Sequence, residues 1–168
     1  MNNSSDDQLD HFFMAEAIKE AEKAFLKNEV PVGAVLVKEG SIIARAHNEV
    51  EFQKKSLAHA EILCLSIASE FLNNWRLNGT TLYVTLEPCS MCLGAIILSR
   101  VKKVVFAAPD IRHGACGSWV NLVESKHPIH QVEIKKGILQ TESSELLKKF
   151  FRERRIQNGK TAKEFRSA

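Results

Sequence analysis

Two short strings, His59-Ala60-Glu61 and Pro88-Cys89-Ser90-Met91-Cys92, carry the chemistry-bearing residues of this chain. They read H-x-E and P-C-x-x-C. Together they supply one imidazole, two thiols and one carboxylate. An imidazole and two thiolates suit zinc, and three protein ligands leave its fourth position open to water. Each string sits where a helix is expected to begin. Helix starts present unpaired N–H groups and the positive end of the macrodipole, which lower a thiol pKa and favour the metal-binding thiolate. Cys89 and Cys92 are one helical turn apart, so both sulfurs can face one ion. His59 supplies the third ligand from another helix. Glu61 lies two residues beyond His59, and such neighbours do not share a helix face. It is therefore expected beside the ion, as an acid/base.

Water on a three-ligand zinc site has a pKa of about 7. Glu61 can take its proton and return it to a leaving group. That arrangement suits hydrolytic attack on an amidine-like carbon with loss of ammonia. Each string alone has a plainer reading: H-x-E is common, and C-x-x-C also serves redox pairs and halves of structural zinc sites. The pair of strings, on two helix starts with a strand between, is far more specific. Cys64 reads as a buried apolar thiol, and Cys116 as the one candidate to close the site with a fourth ligand. His11, His47, His113, His127 and His130 lack ligand spacing to the motifs and read as surface or structural residues.

The elements that must position these groups follow from periodicity. Leu9, Phe12, Phe13, Ala17, Ala21, Ala24 and Phe25 recur at helical steps, giving an amphipathic helix over about 7–27. Pro31 to Val37 and Ile42 to His47 flank the turn Lys38-Glu39-Gly40-Ser41 and predict a hairpin. A polar loop over 48–56 leads to a helix over about 59–72. Thr81 to Leu86 alternates as a strand, and Pro88 suits a helix start; that helix runs to about Ser99. Val101 to Ala108 and Gln131 to Ile138 read as strands, separated by a Gly-containing loop over 109–118. A last helix spans about 142–157, with Leu146, Leu147, Phe150 and Phe151 on its buried side. Alternating strands and helices argue for an α/β layered fold, and the hairpin makes the sheet mixed.

A chain of 168 residues with 45% hydrophobic and 26% charged content reads as one globular domain over 1–168. Its folded part is expected over about 7–157. The net charge of +3 is unevenly spread. From Lys148 onward eight basic residues face only Glu153 and Glu164. The segment therefore carries +6 and the rest −3. Residues 158–168 are expected to form a flexible basic tail, suited to a polyanion. Four cysteines do not make a disulfide framework. Met1 to Asp10 lacks the features of a signal peptide, and no run approaches the ~18 apolar residues of a membrane span. A soluble, cytoplasmic protein with no membrane partner is expected.

H-x-E with P-C-x-x-C is the signature of zinc nucleobase deaminases. Within that superfamily the chain resembles the bacterial tRNA-specific adenosine deaminases along nearly its whole length. The resemblance rests on Glu29-Val30-Pro31-Val32-Gly33-Ala34-Val35-Leu36-Val37, Ala58-His59-Ala60-Glu61-Ile62 and Thr81-Leu82-Tyr83-Val84-Thr85-Leu86-Glu87-Pro88-Cys89-Ser90-Met91-Cys92. It continues through Gly94-Ala95, Ser99-Arg100, Val104-Val105-Phe106, Gly117-Ser118 and Phe150-Phe151-Arg152. It departs from the pattern at Ala107-Ala108-Pro109-Asp110, at Cys116 and in the 49–56 loop.

The resemblance implies a three-layer α-β-α fold of the cytidine deaminase type, with a mixed sheet of about five strands. It implies deamination of adenosine to inosine at the wobble position of a tRNA anticodon. One zinc per subunit is implied, on His59, Cys89 and Cys92, with Glu61 as proton shuttle. It further implies that Asn48 hydrogen-bonds the flipped base, that Val30, Pro31 and Leu86 wall the pocket, that Asp110 meets the RNA backbone, and that Phe151 and the basic residues after it line the RNA path. The partners implied are the anticodon stem-loop and a second copy of the chain in a homodimer. Two other readings stay open on the residues alone: deamination of a free base such as guanine or cytosine, and an RNA-binding module with structural zinc.

Overall fold

The computed structural model describes residues 3–125 and 127–164, with side chains described over 6–125 and 127–158. Five helices and five strands follow the order α1 (Asn3–Leu26), β1 (Gly33–Lys38), β2 (Ser41–His47), α2 (Val50–Gln53), α3 (Ala60–Phe71), β3 (Thr80–Leu86), α4 (Ser90–Leu98), β4 (Lys103–Ala108), β5 (Glu133–Lys136) and α5 (Gln140–Glu164). The strands form one sheet in the order β2-β1-β3-β4-β5. β1 pairs antiparallel with β2 and β3, while β3, β4 and β5 run parallel. The β1–β2 hairpin turns on Glu39 and Gly40, both at positive φ, as a two-residue hairpin turn that matches the twist of its strands requires.

The sheet is covered on both faces, so its central strand is apolar on both sides. Leu82 and Val84 pack with Leu36, Cys64, Leu93, Ile96 and Phe106 under α3 and α4. Tyr83 packs with Phe13, Met14, Ala17, Val35 and Val105 under α1. The three-layer, mixed five-stranded architecture is the one expected. α1 lies so close to β1 that a Cβ on Gly33 would come within 2.1 Å of the Ala17 carbonyl oxygen. Only glycine permits that approach.

Several local expectations are corrected. Leu9 and Phe12 of α1 are exposed, and its buried stripe is Phe13, Met14, Ala17, Ala21 and Ala24. The 48–56 loop contains α2. α5 continues to Glu164 without a break near 157, so the basic residues there extend a helix. Residues 165–168, the end of the expected tail, lie outside the described residues. Phe150 is buried, but Phe151 is 47% exposed and points away from the core.

One buried polar cluster ties α1 to the sheet. The Asp10 carboxylate, 3% exposed, accepts from the Tyr83 hydroxyl at 2.7 Å, Lys135 Nζ at 2.6 Å and Lys103 Nζ at 3.3 Å. It links four elements: α1, β3, β4 and β5. Burial alone would raise the Asp10 pKa, but Lys135, Tyr83 and Lys103 together hold it below the ordinary carboxylate range. A carboxyl with a lowered native pKa stabilises the fold above its unfolded pKa, and loses that contribution as pH falls through the native value. Asp10→Ala should therefore cost about 2 kcal/mol at pH 7, less than the roughly 3–5 kcal/mol of a fully buried broken pair, because both lysines keep water contact. Thermal melts should show the gap to the parent protein narrowing as pH drops from neutral towards 3. A gap independent of pH would assign the loss to packing instead.

Candidate active site

β3 ends at Leu86, and the chain passes Glu87 and Pro88 before α4 begins at Ser90. Cys89 is thus the residue just before α4, with extended backbone (φ −72°, ψ 171°), and Cys92 lies in the helix's first turn. His59 stands in the same relation to α3, with φ −73° and ψ 149°. Both helices therefore start one residue or more later than their motifs suggest, and Pro88 lies outside α4. These details decide the geometry. Because His59 is extended, it is not bound by the i,i+2 rule of a helix, and its ring and the Glu61 side chain converge on one corner.

In that corner His59 Nδ1 is 3.5 Å from Cys92 Sγ and 3.8 Å from Cys89 Sγ. The three donor atoms lie within 4.8 Å of one another, the one such metal-ready group among the described residues. Donors on a tetrahedral zinc with bonds of about 2.0–2.3 Å sit roughly 3.6 Å apart, so the spacing fits that ion. The protonation chemistry fits too. A hydrogen bond from Cys92, aided by His59, holds Cys89 at about 4. The adjacent Cys89, then burial, push Cys92 in the opposite direction. Cys89 also raises His59. Both sulfurs can be thiolates together only beside a cation. Cys116 is not a member of the group, so the described residues offer no fourth protein ligand, and the closed structural-zinc arrangement lacks its ligand.

Glu61 is buried, in the first turn of α3, and hydrogen-bonded with the Cys92 thiol. Burial pushes its carboxyl up to about 7. Cys64, one turn further along α3, is a buried thiol of the core, as expected. A three-donor metal site with an open position and a poised carboxyl beside it is equipped for hydrolytic proton-transfer chemistry.

A family model described as MafB19-like deaminase matches residues 8–155. The tRNA-specific adenosine deaminase of Bacillus subtilis (strain 168) is 54% identical over 146 residues, covering 87% of this chain and 91% of that one. The chain belongs to the tRNA-specific adenosine deaminase family. The family member from Aquifex aeolicus (strain VF5) is 48% identical over 144 residues, covering 86% and 95% of the two chains. A solved structure from work on A-to-I editing by tRNA:A34 deaminases at the wobble position superposes with a TM-score of 0.76 at 39% identity, covering 81% of this chain and 99% of that one. The guanine deaminase of Nitrosomonas europaea also shares the fold, with a TM-score of 0.74 at 26% identity, covering 83% of each chain.

Several residues that the family resemblance marks for substrate lie on segments tied to those bearing His59 and Cys89, and Phe151 does not. Pro31 is buried, and Val30 and Leu86 are half-buried against the core. Asn48 is buried, its backbone N–H donating to Val32 O at 2.9 Å. The N–H of the next residue, Glu49, donates to Ala58 O at 3.0 Å, tying this loop to the residue before His59. Asp110 turns inward on its own loop: its Oδ1 accepts from the Arg112 and His113 N–H groups at 2.9 and 3.2 Å. Phe151 is the exception and lies apart on α5, edge-on to Phe150 at 5.4 Å.

Sequence reasoning assigns no role to two buried glutamates that hold this site together. Glu87 accepts from the N–H groups of Asp110, Cys116 and Ser118 at 3.1, 2.9 and 3.2 Å, and from the Ser118 hydroxyl. It fastens the 110–118 loop against the ligand-bearing segment, where Gly114 bridges to Cys89 and Ala115 N–H donates to Pro88 O at 2.9 Å. A Cβ on Gly114 would lie 2.4 Å from Glu87 Cδ. Glu29 holds the other side, accepting from Asn48 Nδ2 at 3.1 Å and Phe52 N–H at 2.6 Å. The only sequence signal is an acid set directly against an apolar run, as in Leu86-Glu87-Pro88. Glu87→Ala strips four donors of their acceptor. It should cost roughly 2–3 kcal/mol. Amide hydrogen exchange should show protection lost at Asp110, Cys116 and Ser118 with α3 unchanged; retained protection there would remove Glu87 as the anchor.

Proposed function

We propose that this chain deaminates adenosine to inosine at the wobble position of a tRNA anticodon, with one zinc ion per subunit. The observation that carries the substrate is the 54% identity with the Bacillus subtilis tRNA-specific adenosine deaminase over most of both chains. The guanine deaminase on the same fold reaches 26%, which supports RNA over a free base.

His59 Nδ1, Cys89 Sγ and Cys92 Sγ are the donors that would hold the ion. Zinc, when bound, supplies the Lewis acidity that makes water a nucleophile near neutral pH. Glu61 takes a proton from the water that attacks C6 of adenine and passes it to ring N1, then takes the proton of the new C6 hydroxyl and passes it to the departing amine. The C6–O bond forms, the C6–N6 bond breaks, and ammonia leaves with inosine remaining. Burial of Glu61 keeps bulk water from competing for that proton.

Asn48 hydrogen-bonds the extruded base, and Val30, Pro31 and Leu86 form the walls of its pocket. An anticodon base is already partly unstacked, which lowers the cost of extruding it. Asp110 meets the RNA backbone from the loop that Glu87 anchors. Phe151 offers an exposed ring for stacking. Exposed Lys148, Lys149, Arg152 and Arg155 continue a basic face along α5, suited to phosphates. No helix among the described residues is long and apolar enough to cross a membrane. A cytoplasmic location accords with a tRNA substrate.

A second copy of the chain covers the outer face of α3 and α4. Ile67 and Phe71, one turn apart on α3, and Leu98 at the end of α4 are exposed apolar side chains, of the kind that a partner covers. Ile67→Glu should then yield a monomer in sedimentation equilibrium; an unchanged mass would exclude this face.

The central test is incubation with an unmodified tRNA bearing adenosine at the wobble position, read out as inosine, beside free adenine, guanine and cytosine. Turnover is expected on the tRNA alone; turnover on a free base alone would overturn the assignment. Glu61→Ala should keep zinc and tRNA binding and lose at least about 10²-fold in kcat. His59→Ala, Cys89→Ala and Cys92→Ala should lose zinc by elemental analysis, whereas Cys116→Ser should retain it. Arg152→Glu with Arg155→Glu should raise KM for tRNA and flatten its salt dependence.

A further inference from the structure

Glu29 is a buried carboxylate that neither holds the metal nor moves a proton. It is 1% exposed and lies just beyond the C-terminal end of α1. Its two oxygens have different partners: Oε1 accepts from the Phe52 N–H at 2.6 Å, and Oε2 accepts from Asn48 Nδ2 at 3.1 Å. Glu29 is itself fixed, its backbone N–H donating to Ala24 O at 2.9 Å. The Phe52 contact serves α2, whose preceding residue Glu49 provides no side-chain cap. The Asn48 contact does something else. An asparagine amide is nearly the same shape in its two orientations, with donor and acceptor exchanged. A carboxylate partner accepts the NH₂ end and repels the carbonyl. We propose that Glu29 is a positioning residue: its hydrogen bond to Asn48 selects the amide orientation that meets the base. The selected state commits one Asn48 N–H to Glu29 and leaves the carbonyl oxygen and the second N–H for substrate. This rests on the reading of Asn48 as the base contact.

Glu29→Gln separates orientation from support. The introduced glutamine still offers a carbonyl oxygen to the Phe52 N–H, but turns its NH₂ towards Asn48. Asn48 then satisfies that donor by flipping its amide. The fold is kept and the presented donor and acceptor are exchanged. The experiment uses the zinc-loaded full-length chain and a tRNA with wobble adenosine. It measures kcat, KM and melting temperature for the parent, Glu29→Gln, Asn48→Ala and the double variant.

The expected result is a melting temperature within a few degrees of the parent for Glu29→Gln, with unchanged zinc content. Its kcat/KM should fall by roughly tenfold, the scale of one lost hydrogen bond. Asn48→Ala should fall at least as far, and the double variant should be no worse than Asn48→Ala, because removing the amide leaves Glu29 nothing to orient. A double variant lower by the product of both single losses would overturn the proposal while leaving Asn48 as the base contact. So would a Glu29→Gln value within twofold of the parent. An Asn48→Ala value within twofold of the parent would overturn the base contact and the proposal with it. If Glu29→Gln fails to fold, Glu29→Gln combined with Asn48→Asp restores a hydrogen bond with donor and acceptor exchanged. That pair should be stable and zinc-loaded yet no more active than Asn48→Ala; parent-like activity would overturn the proposal.

Discussion

Two sulfurs, an imidazole and a carboxyl converge on one corner at the C-terminal end of β3, and they cannot all be deprotonated without a cation among them. Cys89 is held low, while Cys92 beside it is driven up. The close approach of the three donor atoms, within 4.8 Å of one another, makes the corner fit a metal ion. The fold is arranged to sustain it. α3 and α4 both begin there, so their unpaired N–H groups and positive dipole ends favour the anionic forms. His59 and Cys89 sit outside their helices, in extended backbone. This lets an i,i+2 pair and an i,i+3 pair, from two different helices, converge at one point.

Three glutamates of nearly equal depth surround this end of the sheet, and their surroundings separate their work. Glu29 and Glu87 each accept from at least two donors, backbone N–H groups among them. Such a carboxylate anchors its loop. Glu61 meets the Cys92 thiol and its own backbone N–H, and burial dominates, raising it to about 7. Glu29 and Glu87 are thus occupied as loop anchors, while Glu61 stands beside the two thiols. The anchored loops bring Asn48 to one side of the corner and the 110–118 loop to the other. A metal centre alone would give neither.

The candidate metal donors are legible in the sequence because they are close along it: H-x-E and P-C-x-x-C each fit within one helix start. The five strands are legible because period-two patterns and the Glu39-Gly40 turn are local features. Glu29 and Glu87 are not, since their partners lie 19 to 31 residues away and nothing in a linear pattern marks an acid as a loop anchor. Leu9 and Phe12 show the same limit from the other side. Helical periodicity assigns them to an apolar stripe, but the sheet beneath α1 accepts only Phe13, Met14, Ala17, Ala21 and Ala24. Periodicity likewise puts Phe151 on the buried face with Phe150. A helix can turn one of two adjacent aromatics to the core, and here it is Phe150, against Phe25. α5 reaches Glu164 although apolar periodicity does not mark that stretch and Asn158, Gly159 and Thr161 in it are weak helix formers.

Sharing of the fold between adenosine and guanine deaminases follows from this division of labour. The His59, Cys89 and Cys92 donors sit at two helix starts beside the central strand, so such a site can be kept while the rest of the fold changes. In the proposed function, choice of base and of its carrier falls to side chains outside those helix starts: the Val30-Pro31 run entering β1, the Asn48 amide after β2, and the basic face of α5. All three lie on segments whose sequence can change without disturbing the ligands. Asn48 differs from the other two in one respect. A hydrophobic wall accepts many shapes, and a basic face accepts any polyanion, but an oriented amide distinguishes donor from acceptor. Under the proposed role of Asn48, specificity at the base depends on what fixes that amide, and a buried carboxylate 19 residues upstream is hydrogen-bonded to it.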